Sequence, residues 1–250
     1  MRRRQFFHYV QGGAIASLGV AWSAQAQSGG SLGVQWFGHT CFLFTGSGQR
    51  ILSNPFQPRG CTKNLPAPKV ASNIVMISSR LLDEGFVEGL PGRPKLLFEP
   101  GSYNVNGIKF QGVRTNHDRV GGYRFGTNVA WAWTQGGIKI LQLGGIAAPI
   151  TLEQRILMGK PDLLIIPVGG SEKAYTPEEA KAAINFLEPR IVIPSHYLTK
   201  GADPKACDLK PLEAFLEIMA GTTIRRVGGS SISLSPSSLP ASLVINVLSL

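Results

Sequence analysis

Apolar positions in this chain cluster in short runs bounded by glycine and polar turns, a pattern that predicts many short strands and few helices. Residues 33–36 and 41–45 are alternating or apolar segments split by Phe37-Gly38-His39. Residues 51–53 follow the turn-forming Gly46-Ser47-Gly48, so the opening is expected to be a β-meander. The unbroken run Ile74-Val75-Met76-Ile77 predicts a strand buried on both faces. Segments 96–99, 108–113, 128–134 and 138–143 continue the strand pattern, and 163–168 and 191–193 read as further buried strands. Helix signals are fewer. At Thr176-Pro177-Glu178-Glu179 a capping threonine, a first-turn proline and a capping-box glutamate open a helix that ends near Leu187, before Pro189. Residues 151–158 and 211–219 are shorter helix candidates. Segment 243–248 is strand-like and is expected to cover a sheet edge.

Composition agrees with one folded α/β domain. Of 250 residues, 43% are hydrophobic and only 16% charged, which excludes disorder, while 30 glycines and 17 prolines suit numerous tight turns. No repeat or linker divides residues 27–250, although the tail from about residue 225 is atypical. The net charge of +10 owes three charges to Arg2, Arg3 and Arg4, and no acidic residue precedes Asp83. No stripe of basic residues interleaved with aromatics accompanies this excess. Nucleic acid is therefore not expected as a partner, and the charge reads as a solvated basic surface. Among the cysteines, Cys41 lies in an apolar strand pattern. Cys61 and Cys207 lie in loop-like sequence, where an oxidising compartment would allow them to pair. None has metal-ligand spacing.

Residues 1–26 read as an export signal. A basic start precedes a modest apolar stretch from Gly12 to Trp22, too short and glycine-rich for a membrane span, and Ala24-Gln25-Ala26 offers a small-x-small cleavage site. Arg3-Arg4-Gln5-Phe6-Phe7 resembles the twin-arginine motif of proteins exported already folded. The mature chain would begin near Gln27, reside in a bacterial periplasm or thylakoid lumen, and contain no transmembrane segment.

The three histidines of the mature chain, His39, His117 and His196, all sit beside predicted strand ends, where a rigid scaffold can present a side chain to a cleft. His117-Asp118 could form an oriented general base without a metal, though neighbouring residues of an extended strand point to opposite faces. A pocket lined by His39, His117, His196 and Tyr197 would serve ligand binding.

The order of several short motifs resembles a known family. Trp36-Phe37-Gly38-His39-Thr40-Cys41-Phe42 is similar to the W-x-G-H-x-x-F opening of the ascorbate-6-phosphate-lactonase-like branch of the metallo-β-lactamase superfamily. Asn54-Pro55-Phe56, Asn116-His117-Asp118, Leu143-Gly144, Pro167-Val168-Gly169-Gly170 and Ile193-Pro194-Ser195-His196-Tyr197 follow in family order. The likeness spans residues 33–200, about two thirds of the chain, and implies a four-layer αβ/βα sandwich with a two-metal site.

The metal motif itself departs from that pattern. Where the family carries H-x-H-x-D-H, this chain reads Ser79-Arg80-Leu81-Leu82-Asp83-Glu84, and the family's H-x-G-D loop with its bridging aspartate reads Gln142-Leu143-Gly144-Gly145. By resemblance, the first metal position keeps only His117. The second keeps Asp83 and His196, with Glu84 as an added oxygen donor, unless Arg80 claims Asp83 as an ion pair. A catalytic zinc needs about three protein ligands and an open position. Two expectations follow. One is a non-catalytic relative that binds a ligand or protein partner and holds no cofactor. The alternative is a hydrolase of small esters, lactones or phosphorylated compounds that uses one divalent ion, Zn, Mn or Fe.

Overall fold

In the computed structural model, which describes residues 30–199, 202–203 and 205–250, the predicted meander forms as β1 (Leu32–Gly38), β2 (Cys41–Gly46) and β3 (Gln49–Ser53). The predicted export signal lies outside the described residues. The middle of the chain contributes β4 (Ile74–Met76), β5 (Lys95–Leu97), β6 (Gly101–Val105), β7 (Ile108–Asn116), β8 (Thr127–Gln135) and β9 (Ile138–Gln142). Helix α1 (Leu152–Met158), β10 (Leu163–Pro167), α2 (Pro177–Leu187) and β11 (Ile191–Ser195) follow. The chain then closes with α3 (Leu212–Ile218), β12 (Thr223–Arg226), β13 (Ser231–Leu234) and β14 (Val244–Val247). None of the described helices is long and apolar enough to cross a membrane.

These strands make two sheets. One runs β13-β1-β2-β3-β4-β5, and the other runs β12-β14-β11-β10-β9-β8-β7-β6. The second sheet is antiparallel from β6 to β9 and parallel from β9 to β12. The β6–β7 hairpin turns on Asn106 and Gly107, both at positive φ, which matches the twist of the flanking strands. The tail differs from its expected role. Segment 244–247 does not cover an edge but is inserted between β11 and β12, while β13 pairs with β1 to end the other sheet. The last part of the chain thus supplies strands to both sheets.

Alternation along each strand explains the layers. Phe42 and Phe44 of β2, with Ile74 and Met76 of β4, enter the core between the sheets and meet Trp131 and Trp133 of β8. Phe44 and Trp133 stand edge to face at 4.9 Å, and the Trp131 indole N–H donates to the Ile77 carbonyl at 3.0 Å. The intervening residues Cys41, Leu43, Leu52, Val75 and Ile77 form a second cluster on the outer face of the first sheet. On the second sheet's side, α2 buries Ala180, Ala183, Ile184 and Leu187, the i, i+3, i+4, i+7 stripe of an amphipathic helix. Thr176 and Glu179 cap each other as the sequence predicts. Among the described residues, no α-helix lies in the first sheet's outer layer. Phe56, Leu65, Val70, Val87 and Leu90 cover it from connecting segments in which prolines 55, 58, 66, 68, 91 and 94 interrupt helix formation.

Cys61 and Cys207, 146 residues apart, form a disulfide that ties the turn at Gly60–Thr62 to the segment beyond β11. Closing so long a loop restricts the unfolded chain, an effect worth about 3–5 kcal/mol. Reduction, or the C61S/C207S pair, is expected to lower the melting temperature by several degrees. Identical melting curves with and without reductant would remove this role.

Candidate functional site

Three connections deliver the histidines to one place. His39 occupies the tight turn between β1 and β2, and His196 follows the end of β11; both have φ of 53°. Left-handed backbone costs a non-glycine residue about 1–2 kcal/mol, so a pair of such residues in contact marks a place where position outweighs comfort. The strain is held by partners. The Trp36 indole donates to the His39 carbonyl at 3.1 Å, and the His196 amide donates to the same carbonyl at 3.2 Å. The imidazole rings lie 4.0 Å apart. Behind them, a Cβ at Gly169 would overlap the His196 carbonyl, so only glycine fits there. His117 comes from the end of β7, and Glu84 from the turn that follows β4.

Glu84 is the centre of the cluster and is fully buried. Its Oε2 lies 2.9 Å from His117 Nε2 and accepts from Ser79 Oγ at 3.1 Å and Ser78 Oγ at 3.3 Å; Oε1 lies 3.6 Å from His196 Nδ1. Burial pushes the Glu84 carboxyl up. His117, bonded and close, together with the Lys173 charge, outweighs burial and holds the group well below its ordinary value, so it stays ionised. Burial lowers the pKa of His39. Burial, and then the His39 ring, place His196 well below the usual imidazole value. Both rings are therefore neutral at physiological pH, the form in which imidazole binds a metal.

His39, Glu84 and His196 each offer a donor atom within 4.8 Å of the other two. His39 Nε2, Glu84 Oε1 and His196 Nδ1 are buried polar atoms without a hydrogen-bond partner. Leaving such an atom unsatisfied costs about 1–3 kcal/mol, and three converging on one point is the signature of a place shaped for a cation. Two nitrogens and one carboxylate oxygen suit Zn, Mn or Fe.

Other residues fall differently from the sequence-based expectation. Asp83 is outside the three-donor cluster; its Oδ2 lies 3.9 Å from His39 Nε2 and is paired with Lys173 Nζ. Arg80 does not pair with Asp83 but with Glu99, at the surface, at 3.1 Å. His117 spends Nε2 on Glu84, while its Nδ1 has no partner, so Asp118 does not orient it. Asp118 instead accepts from the amides of Val120, Gly122, Arg124 and Phe125 and folds the loop between β7 and β8. Partial burial of that carboxyl is outweighed by the four amides, which hold it below its ordinary value. Tyr197 packs its ring 5.5 Å from Trp36 and lines a separate hollow of about 410 Å³ with Leu65, Leu212 and Leu248. The sequence placed His39 in a ligand pocket rather than among the three donors, and it gave no sign of Lys173.

One relation between positions explains how a carboxylate survives here. A side chain at Gly145, where the family pattern has its bridging aspartate, would begin on top of the Glu84 carboxylate. Glu84 has thus filled the space that Gly145 leaves, and the centre keeps one acid. G145A is expected to destabilise the protein by about 1–3 kcal/mol through this overlap. The cost should vanish in an E84A background, as a denaturant double-mutant cycle would measure. A neutral G145A would contradict the arrangement.

Comparisons with known proteins agree with the geometry. A family model described as a β-lactamase superfamily domain matches residues 33–196. A UPF0173 metal-dependent hydrolase of Methanoculleus marisnigri is 27% identical over 229 residues, covering 80% of this chain and 96% of that protein. A Thermotoga maritima structure described as a zinc-dependent hydrolase of the metallo-β-lactamase superfamily aligns with TM-score 0.70 at 28% identity. It covers 88% of this chain and 100% of its own. CmlA, a diiron β-hydroxylase of Streptomyces venezuelae, shares the fold alone, with TM-score 0.57 and 13% identity over 83% of this chain and 54% of its own. With the two-sheet architecture and the matched residues in hand, this chain belongs to the metallo-β-lactamase-fold superfamily.

Proposed function

We propose that this protein is a one-metal relative of the metal-dependent hydrolases, with a single divalent ion held by His39 Nε2, Glu84 Oε1 and His196 Nδ1. The observation that carries this reading is the convergence of three buried, unpartnered donor atoms. An ion held by these three residues would supply Lewis acidity toward a carbonyl or phosphoryl oxygen and toward water. The chain's own groups do the rest. Ser78, Ser79 and His117 fix one oxygen of Glu84 and leave the other free. His117 orients Glu84 through Nε2, 2.9 Å from Oε2. Small esters, lactones or phosphorylated compounds are the substrate classes this reading proposes, as the family resemblance implies.

Burial favours a second reading. His39, Glu84, His117 and His196 are each 4% exposed or less, so no reacting group faces solvent directly. A non-catalytic relative would keep such a centre for shape or for binding a partner.

Purified mature protein is expected to retain about one equivalent of Zn, Mn or Fe by elemental analysis. E84Q and H196A should each lower that occupancy at least tenfold. Metal-free protein that takes up none on titration would end the one-metal reading. Bound metal with no turnover across an ester and lactone panel would leave the non-catalytic one.

We also propose that the chain acts after export, in a periplasm or thylakoid lumen. The Cys61–Cys207 disulfide, which persists in oxidising compartments, supports this reading beside the twin-arginine-like start. Fractionation of expressing cells with N-terminal sequencing is expected to recover a chain beginning near Gln27. An uncleaved cytosolic product would refute it.

A further inference from the structure

Asp83 is the one acid of the family's metal motif that this chain retains, yet it takes no place among the three converging donors. Its partner is Lys173 Nζ, and the two side chains are 24% and 20% exposed, between the buried cluster and solvent. The lysine is not a surface residue that has wandered in. It stands on the loop between β10 and α2, whose carbonyls at Ser171 and Ala174 each accept from the Arg119 guanidinium at 2.9 Å. Arg119 is itself anchored to Glu179 at 2.9 Å, and the Lys173 amide donates to Ser171 Oγ at 3.2 Å. Ala174, the next residue, packs against Cys207 of the disulfide. On the other side, the Phe125 ring lies 5.8 Å from Nζ. The loop is held at several points, and the ammonium itself meets Asp83 and the Phe125 ring.

We propose that Lys173 is a tethered cation that occupies Asp83, keeps that carboxylate away from the three converging donors and so limits the site to one metal ion. The electrostatics require a positive charge there. Two carboxylates, Asp83 and Glu84, are adjacent in sequence and lie beside the His39 and His196 rings. Without a cation on Asp83, the pair would repel each other in partly desolvated surroundings. A fixed ammonium supplies charge but no open coordination position. It thereby satisfies Asp83 while offering nothing to activate water, which is the difference between a counter-ion and a second catalytic metal. Removing it frees Asp83 Oδ2, 3.9 Å from His39 Nε2, to join the other donors.

The inference rests on the one-metal reading only for the wild-type occupancy, and the test separates the two. Zn and Mn are titrated into metal-free wild type, K173M, K173R and the D83N/K173M pair, with affinity read by chelator competition rather than by turnover. K173Q replaces K173M if the latter does not fold. K173M is expected to bind the ion about tenfold or more tightly than wild type, K173R to resemble wild type, and D83N to abolish the gain. Wild type that binds no ion beside K173M that binds one would support the tethered cation and overturn the one-metal reading. Equal affinity in wild type and K173M, or a gain that survives D83N, would overturn the tethered cation alone. Failure of every variant to bind would overturn both.

Discussion

The site depends on a carboxylate sealed away from water. Glu84 has no solvent exposure, and an ion of its size loses several kcal/mol of hydration even after the protein relaxes around it. It can stay charged only because groups nearby compensate: two serine hydroxyls, the His117 ring and the positive field of Lys173. This compensation is lopsided. Oε2 takes three close partners and Oε1 takes none. One oxygen is thus pinned and the other presented, which is what a monodentate ligand requires.

The fold supplies that arrangement from both sheets. His39 comes from the first sheet's opening hairpin, His196 from a central strand of the second, and a single carbonyl, that of His39, accepts from both the Trp36 indole and the His196 amide. The sheets are therefore tied together at the place where their histidines meet. Two left-handed residues at such a joint are tolerable because the core between β2 and β8 is dense and the joint cannot relax without disturbing it. Strain, packing and ligand geometry are one constraint seen at three scales.

Much of this was legible in the sequence, and what was hidden had physical reasons. Apolar runs placed β4, β10 and β11, and capping chemistry placed α2, because those signals are local. The β6–β7 hairpin carried its Asn-Gly turn openly, but Gly101–Val105 alternates only partly buried residues and lacked an apolar run to announce it. Glu84 was legible as an oxygen donor from its position in a motif. His39 was legible as a pocket residue but not as a member of the three-donor cluster, since whether an imidazole in a turn faces inward depends on a φ that sequence does not print. Lys173 was further concealed: it lies 90 residues from Asp83, so only folding brings the charges together. Asp118 misled in the opposite way, because an acid beside a histidine looks catalytic while its oxygens are consumed by four amides of its own loop.

The exchange of positions in this centre has an internal logic of charge. Three substitutions relative to the family pattern, an acid in place of a histidine at 84, glycine in place of an acid at 145 and serine in place of a histidine at 79, are not independent losses. A glutamate at 84 needs the volume vacated at 145, and Ser79 gives that glutamate a hydroxyl donor where a ring would have crowded it. With the acid relocated, His117 becomes its hydrogen-bond partner through Nε2. Asp83 then stands beside a buried anion with no ion to neutralise it, and a lysine fixed by Arg119 and the disulfide-backed loop answers that need. Each step leaves a charge or a cavity that the next one fills. A centre that had merely decayed would scatter its unpaired groups, whereas three of the unpaired atoms here, on His39, Glu84 and His196, lie within reach of one another.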